Sequence, residues 1–324
     1  MKIAIVGATG VVGRTLLKVL RERKLTRFDY TLLASKKSAG MIVKFGGRRL
    51  EVRQLTDNIF LQKFDFAFFC TSEKVSKIYV KRLAECGTIV IDFSSAYRKR
   101  FPLIVPEINA HEARGNIICN PNCSTIAGVM ALYKIHEKFH IQRIIYSTYQ
   151  AVSGAGKAAL DDLKHKNKTT FFPFSINNNL IPYIGEIAHD GYSKEERKMI
   201  FETKKILGDS KIKITATCVR VPITIGHSLS ISFQTEKRCG VTKIRDAILE
   251  SEGVKLIDAF PKFAMPILAR GQDEVLVSRI RKDASAVNSF NMFVVSDNLK
   301  KGSAQNAVQI FECLLKQQLF NSVN

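Results

Sequence analysis

Apolar residues open the chain as a short block, Ile3-Ala4-Ile5-Val6, which breaks into the glycine-punctuated run Gly7-Ala8-Thr9-Gly10-Val11-Val12-Gly13. Beyond it Leu16, Leu17, Val19 and Leu20 recur at helical spacing. The pattern predicts a strand, a glycine turn and a helix. Further apolar runs at 30–34, 64–70, 88–91 and 116–119 read as strands, with a helix over 75–86 between two of them. Alternating strands and helices predict a parallel sheet covered on both faces.

From about residue 127 the periodicity changes. Segments 144–150, 211–221 and 228–235 alternate like strands of a half-exposed antiparallel sheet. Phe171-Phe172-Pro173-Phe174 and Asn177-Asn178-Asn179 mark 170–185 as loop. Ser193 with Glu196 three residues later makes a capping box, predicting a helix over 193–207. A last amphipathic helix is predicted over 304–315. At 324 residues the chain is long for one core. It reads as α/β with two domains, a Rossmann-type dinucleotide-binding domain (1–126) and an α+β domain with a largely antiparallel sheet (127–303).

Composition narrows the class. With 46% apolar and 24% charged residues the chain is globular. The N-terminal apolar run is too short and wrongly flanked to read as a signal peptide, and no apolar stretch is long enough to cross a bilayer, so a cytoplasmic location is expected and no membrane partner. Seven scattered cysteines without a C-x-x-C pair argue against a disulfide framework and against zinc, and no metal is expected. The net charge of +21 has two readings, attraction for anions and a solvated lysine-rich surface. The densest cluster, Lys164-His165-Lys166-Asn167-Lys168, lacks interleaved aromatics and reads as an exposed loop. No nucleic-acid partner is expected.

The chemistry concentrates at three places. Gly7, Gly10 and Gly13 let the backbone approach a pyrophosphate at a helix N-terminus, although a purely structural β-α turn would use the same residues. After the second strand come Ser35, Lys36, Lys37 and Ser38, where a plain ribose would meet an acidic side chain. Hydroxyls and cations suit a 2′-phosphate, so NADP is preferred to NAD. Cys123, in Asn120-Pro121-Asn122-Cys123-Ser124-Thr125, precedes the small apolar run Ile126-Ala127-Gly128-Val129. A thiol at a helix N-terminus is biased towards thiolate, while an inert buried cysteine remains the alternative. Among six histidines, His136 and His140 read as a surface pair and His165 as a loop residue. His227 differs, following Gly226, with Arg220 preceding it in the same strand region, but pattern alone leaves its pairing with Cys123 open.

Five blocks together resemble aspartate-semialdehyde dehydrogenases. They are the glycine run, Asn120 to Thr125, Ser147-Thr148-Tyr149-Gln150-Ala151-Val152-Ser153-Gly154-Ala155-Gly156, Cys218-Val219-Arg220-Val221-Pro222 through Gly226-His227-Ser228, and Asp297-Asn298-Leu299-Lys300-Lys301-Gly302 with Asn306-Ala307-Val308-Gln309. They occur in the family's order across nearly the whole chain. The resemblance implies Cys123 as nucleophile, His227 as general acid/base and Gln150 as the residue that orients the acyl group. It implies Arg220 on the substrate α-carboxylate, Glu195 on its ammonium, and Lys198, Arg98 and Asn122 on phosphate. Gly7, Thr9, Gly10, Val11, Val12, Gly13, Ser35, Lys37, Ser38, Gly154 and Asn298 would hold NADP.

It further implies reduction of L-4-aspartyl phosphate by NADPH through a thioester, in lysine (diaminopimelate), threonine and methionine biosynthesis. The implied assembly is a homodimer, with 127–303 serving catalysis and dimerisation and 304–324 completing the first domain. Three departures stand out. Lys37 replaces an arginine near the 2′-phosphate, Cys70-Thr71-Ser72-Glu73-Lys74 lacks a small glycine turn, and Leu229 follows Gly-His-Ser where an acidic residue is common. The nearest rival is an N-acetyl-glutamyl-phosphate reductase. A basic RNA-associated protein that has lost catalysis is the rival of another class.

Overall fold

The first apolar block forms β1 (Lys2–Val6), the middle strand of a seven-stranded sheet. With it lie β2 (Asp29–Ala34), β3 (Ile42–Phe45), β4 (Arg48–Gln54), β5 (Phe66–Phe69), β6 (Ile89–Asp92) and β7 (Ile117–Cys119). Their spatial order is β3-β4-β2-β1-β5-β6-β7, and every pairing except the β3–β4 hairpin is parallel. The chain leaves β1 towards β2 and returns to β5 on its other side. The glycine turn therefore stands at the point where strand order reverses, the place where open α/β sheets bind ligands.

The computed structural model describes residues 1–165 and 169–321 and divides into two units, Met1–Pro121 with Ser303–Asn324, and Asn122–Gly302. In the first, α1 (Val11–Glu22) and the C-terminal helix (Gln305–Asn321) cover one sheet face. Leu16, Leu20, Val308 and Phe311 pack there on Phe66 and Phe68, with the Phe311 ring edge-on to Phe66 at 4.8 Å. On the other face Val80 and Leu83 of α2 (Glu73–Glu85) pack on Val6, Phe69 and Val90. A short α3 (Pro106–Asn109) precedes β7.

The edge hairpin is absent from the sequence expectation. Val43 and Phe45, then Leu50 and Val52, face inward in alternation with Lys44 and Glu51, but each apolar pair is short and set among Arg48, Arg49 and Arg53, a weak strand signal. The usable signal is Gly46-Gly47, both at positive φ, the backbone a tight hairpin turn requires.

The second unit begins with α4 (Cys123–Phe139), which runs into β8 (Ile141–Ala151). After β8 come α5 (Lys157–Lys164), α6 (Lys194–Leu207), β9 (Lys213–Val221) and β10 (His227–Thr235). Next are α7 (Val241–Leu249), β11 (Val254–Leu256) and the small hairpin β12 (Asp258–Ala259) and β13 (Lys262–Phe263). Finally come β14 (Val275–Lys282) and β15 (Ser289–Ser296). The six-stranded sheet has the order β11-β14-β15-β10-β8-β9. Its three central pairings are antiparallel, but β11–β14 and β8–β9 are parallel, so the sheet is mixed. Parallel β8–β9 pairing needs a long crossover, and α5 and α6 lie within it.

Helix α6 starts as expected: Ser193 Oγ accepts from the Glu196 N–H and Glu196 accepts from the Ser193 N–H, while Gly208 ends it at φ 68°. Within 170–185 there is no helix or strand among the described residues. That stretch is tied down by Asp162, a buried carboxylate accepting from the Thr170 N–H and hydroxyl and the Phe171 and Phe172 N–H groups. Burial opposes its ionisation, and these donors outweigh burial and hold it well below the usual carboxylate range. Of the basic cluster at 164–168, residues 166–168 lie outside the described residues.

Candidate active site

Strand register assembles the site. Gln150 of β8 pairs with Arg220 of β9, and Tyr149 pairs with Ser228 of β10, so one further step sets His227 opposite Gln150. Arg220, Gln150 and His227 thus stand in a row on three adjacent strands, about 5 Å apart from strand to strand. Side chains alternate along a strand, so the row shares its face with Tyr146, Leu229 and Ile231. That is the buried face under α4.

Cys123 is the first residue of α4 and is half-buried. Asn122 caps the helix, its Oδ1 accepting from the Ser124 and Thr125 N–H groups at 3.0 and 3.2 Å. Its Nδ2 donates to Glu195 Oε1 at 2.7 Å, and its own N–H donates to Glu202 Oε2 at 2.7 Å. The Asn122 side chain therefore ties the start of α4, and Cys123 with it, to Glu195. Lys198 Nζ donates to Glu195 Oε2 at 3.0 Å. Glu195 is only 6% exposed, so it is no ordinary solvent-facing helix pair.

Burial disfavours the Glu195 carboxylate, but Lys198, the Asn122 amide and Arg220 together pull its pKa down to about 2. It stays ionised at every working pH. Arg220 donates from Nη1 to the Ala151 carbonyl at 2.7 Å, and burial presses its pKa down while Glu195 props it up. Only a strongly basic guanidinium tolerates that position charged.

His227 is fully buried, and its Nδ1 accepts the Ala151 N–H at 3.0 Å. The neutral ring therefore carries its proton on Nε2, and Nε2 has no hydrogen-bond partner among the described residues. Burial first, then the Arg220 charge, draws its pKa down to about 3. The ring is thus a neutral donor held ready for an acceptor. Gly154 lies against it: a Cβ there would sit 3.2 Å from His227 Nε2 and 3.4 Å from Arg220 Nη1. Gly302 does the same beside Cys123, where an added Cβ would come 3.1 Å from Cys123 Cβ. Gln150 is buried and donates to Thr148 Oγ1 at 3.2 Å.

Several contributors escaped the sequence reading. Glu202 lies seven residues beyond Glu195 on the same helix face, which is the signal that would have found it. Glu196 accepts the Cys218 N–H at 2.9 Å and so ties α6 to the strand carrying Arg220. Asn298, expected at the cofactor, donates to Ser153 Oγ and accepts from the Gly226 N–H, two bonds that no local pattern announces.

The first unit holds the remaining predicted residues. Gly7 has φ +83°, and a Cβ there would meet the Cys70 carbonyl at 2.2 Å; one on Gly13 would meet the Gly7 carbonyl at the same distance. Only glycine permits this turn. Helix α1 begins at Val11 after Gly10, with no side-chain cap and no acidic residue in its first turn, which leaves N–H groups for an anion. Thr9 Oγ1 bonds Ser38 Oγ at 3.1 Å, linking the turn to the segment with Ser35 and Lys37, both exposed. This donor set fits a dinucleotide with a 2′-phosphate. Arg98 donates to the Phe93 carbonyl at 2.7 Å beside buried Asp92.

His136, His140 and Asp209 form a separate group, with both His Nε2 atoms 3.6–3.7 Å from Asp209 Oδ2. His136 is more enclosed than a surface pair would be. Its Nδ1 accepts the Ile141 N–H, so a proton occupies Nε2, where a metal would need the lone pair.

Comparison with known proteins agrees with the geometry. The family description "Semialdehyde dehydrogenase, NAD binding domain" matches residues 2–116, and "Semialdehyde dehydrogenase, dimerisation domain" matches 132–301. An aspartate-semialdehyde dehydrogenase of Aquifex aeolicus is 44% identical over 336 residues, spanning 98% of this chain and 99% of that protein. The solved aspartate semialdehyde dehydrogenase II of Vibrio cholerae, complexed with ASA, superposes with TM-score 0.94 at 38% identity, over 97% of this chain and 98% of that one. The aspartate semialdehyde dehydrogenase of Candida albicans, solved with NADP, gives TM-score 0.76 at 26% identity, over 97% and 98%. The chain belongs to the aspartate-semialdehyde dehydrogenase family.

Proposed function

We propose that the protein converts L-4-aspartyl phosphate and NADPH into L-aspartate 4-semialdehyde, phosphate and NADP through a thioester on Cys123. The observation that carries this reading is a half-buried cysteine at a helix N-terminus together with a buried His227 whose Nε2–H lacks a partner among the described residues. The helix dipole favours the thiolate. Its sulfur attacks the acyl carbon, a C–S bond forms, and the C–O bond to phosphate breaks with the electrons leaving on phosphate. Bound NADPH supplies a hydride that lowers the acyl group to the aldehyde level. His227 Nε2–H donates to the substrate oxygen as it becomes an oxyanion, and that oxygen expels the Cys123 thiolate as the aldehyde forms. No net proton is needed at the oxygen, which fits a ring that is neutral and whose Nδ1 lone pair is already taken.

Arg220 grips the α-carboxylate and Glu195 the ammonium, while Lys198 and Arg98 serve phosphate and Gln150 orients the acyl group. The glycine turn, Thr9, Ser35, Lys37 and Ser38 hold the cofactor in this reading. Arg220→Lys is expected to raise KM for aspartate semialdehyde about ten- to hundredfold with a smaller effect on kcat, because lysine loses the planar paired donors. Steady-state kinetics at saturating phosphate check this, and a kcat loss at unchanged KM would contradict the assignment.

A homodimer is proposed through the outer sheet face. Tyr149 is 40% exposed there, beside Phe293, Ile145 and Val219, and the dimerisation-domain match supports the same reading. No helix among the described residues is long and apolar enough to cross a membrane, and the proposed setting is amino-acid biosynthesis (lysine, threonine and methionine) in the cytoplasm. The deciding assay follows phosphate-dependent reduction of NADP and of NAD, with aspartate semialdehyde and with N-acetyl-glutamate semialdehyde. Turnover is expected with the first aldehyde and NADP. Turnover of the acetylated aldehyde alone would overturn the substrate assignment.

A further inference from the structure

We infer that Asn298 is a positioning residue for His227, setting the backbone and the turn between which the ring is held; this rests on the thioester reading above. Asn298 is buried, and its Oδ1 accepts the N–H of Gly226, the residue before His227, at 2.9 Å. Its Nδ2 donates to Ser153 Oγ at 2.9 Å. Ser153 belongs to the turn Val152–Ala155 that lays Gly154 against His227 Nε2. One amide therefore clamps the chain on both sides of the imidazole.

The surroundings make the clamp stiff. Asp297, next door, accepts from the Leu299, Lys300 and Gly271 N–H groups, which fixes the turn from which Asn298 projects. Val152 and Ser153 N–H groups donate to the Ile223 and Thr224 carbonyls, joining the two sides of the clamp through the backbone as well. Gly226 has φ +105°, and a Cβ there would meet Pro266 at 2.8 Å, so no other residue substitutes for it. What remains adjustable is the seat of residues 226–227, and Asn298 is the side chain that holds it. The Gly226 N–H takes the amide oxygen and Ser153 Oγ takes one of the two amide N–H groups, so Asn298 holds the seat of His227 through these two bonds. The amide is also neutral. A carboxylate in its place would keep the acceptor for Gly226 and accept from the Ser153 hydroxyl, but would favour a charged imidazolium.

The test compares full-length wild type with Asn298→Ala, Asn298→Asp and Ser153→Ala, measuring kcat, KM for NADP, the pH profile of kcat and Tm. Asn298→Ala is expected to lower kcat about 10- to 100-fold, as small misplacements of a reacting group do, with a smaller change in KM for NADP. Ser153→Ala should lower kcat in the same direction by less. Asn298→Asp should recover most of kcat and gain an acid limb at higher pH than wild type. A raised KM for NADP with kcat intact would overturn the inference. So would equal losses in the Ala and Asp variants that follow Tm and leave the pH profile unmoved. Cys123→Ala assayed in parallel keeps the two readings apart: turnover surviving it sinks the thioester chemistry, whereas the Asn298 outcomes bear on His227 alone.

Discussion

Cys123→Ala is expected to abolish phosphate-dependent NADP reduction with aspartate semialdehyde, lowering kcat by roughly 10⁴-fold or more, the scale on which removal of a covalent nucleophile acts. The substitution removes the sulfur and little else. Asn122 still caps α4 through the Ser124 and Thr125 N–H groups and still holds Glu195, none of which involves the thiol. Circular dichroism and Tm should therefore stay close to wild type while turnover disappears. Cys123→Ser keeps the volume but gives a hydroxyl that the helix dipole cannot ionise near neutral pH, so it should be nearly as inactive. Incubating wild type with aspartate semialdehyde and NADP without phosphate should leave an acyl adduct on residue 123, seen by mass spectrometry. Turnover near the wild-type rate in the alanine variant would end the thioester reading.

The second large effect concerns His227. His227→Ala is expected to lower kcat about 10²- to 10³-fold, the cost of losing one donor to a developing oxyanion. His227→Gln distinguishes donation from proton transfer. A glutamine amide presents an N–H near the position of Nε2 but cannot act as acid or base, so it should recover about tenfold or more over alanine. Equal losses in the two variants would assign His227 to proton transfer. The pH dependence follows from the ring's environment. With its pKa drawn down to about 3 by burial and Arg220, the free enzyme's kcat/KM should show no limb near 6.5, where an ordinary histidine titrates. Stability has a matching sign. The unfolded chain takes up this proton near 6.5 and the folded chain only near 3, so His227 costs stability as pH falls between those values. His227→Gln should flatten that part of the acid denaturation curve.

Much of the fold and of the proposed site was legible in the sequence because the residues proposed for chemistry sit in local patterns. The glycine turn lies between a strand and a helix, Cys123 begins a helix, and Ser193 with Glu196 announces α6. What stayed hidden depends on long-range pairing or on backbone atoms. Nothing local tells that Arg220, Gln150 and His227 form a row, because the register of β8 against β9 and β10 is set by the whole sheet. Helix α6 concealed its role for a different reason. Its buried side includes Glu195, Glu196 and Glu202 beside Met199 and Ile206, so polarity suggested exposure at positions that are enclosed. Asn298 is named by resemblance as a cofactor ligand, but its bonds to a backbone N–H and to a serine far away in sequence have no local signal.

The row across β9, β8 and β10 also has a consequence for how activity appears during folding. Ala151 binds His227 across 76 residues and Arg220 across 69. Contacts of that span close large loops before anything repays the lost chain entropy, so they form late compared with helices such as α4 and α6. A partly folded chain can hold Cys123 at its helix end and still lack every group that would make the thiol useful. Regain of turnover on refolding should therefore lag behind regain of helical signal, and the enzyme reports completion of its central sheet.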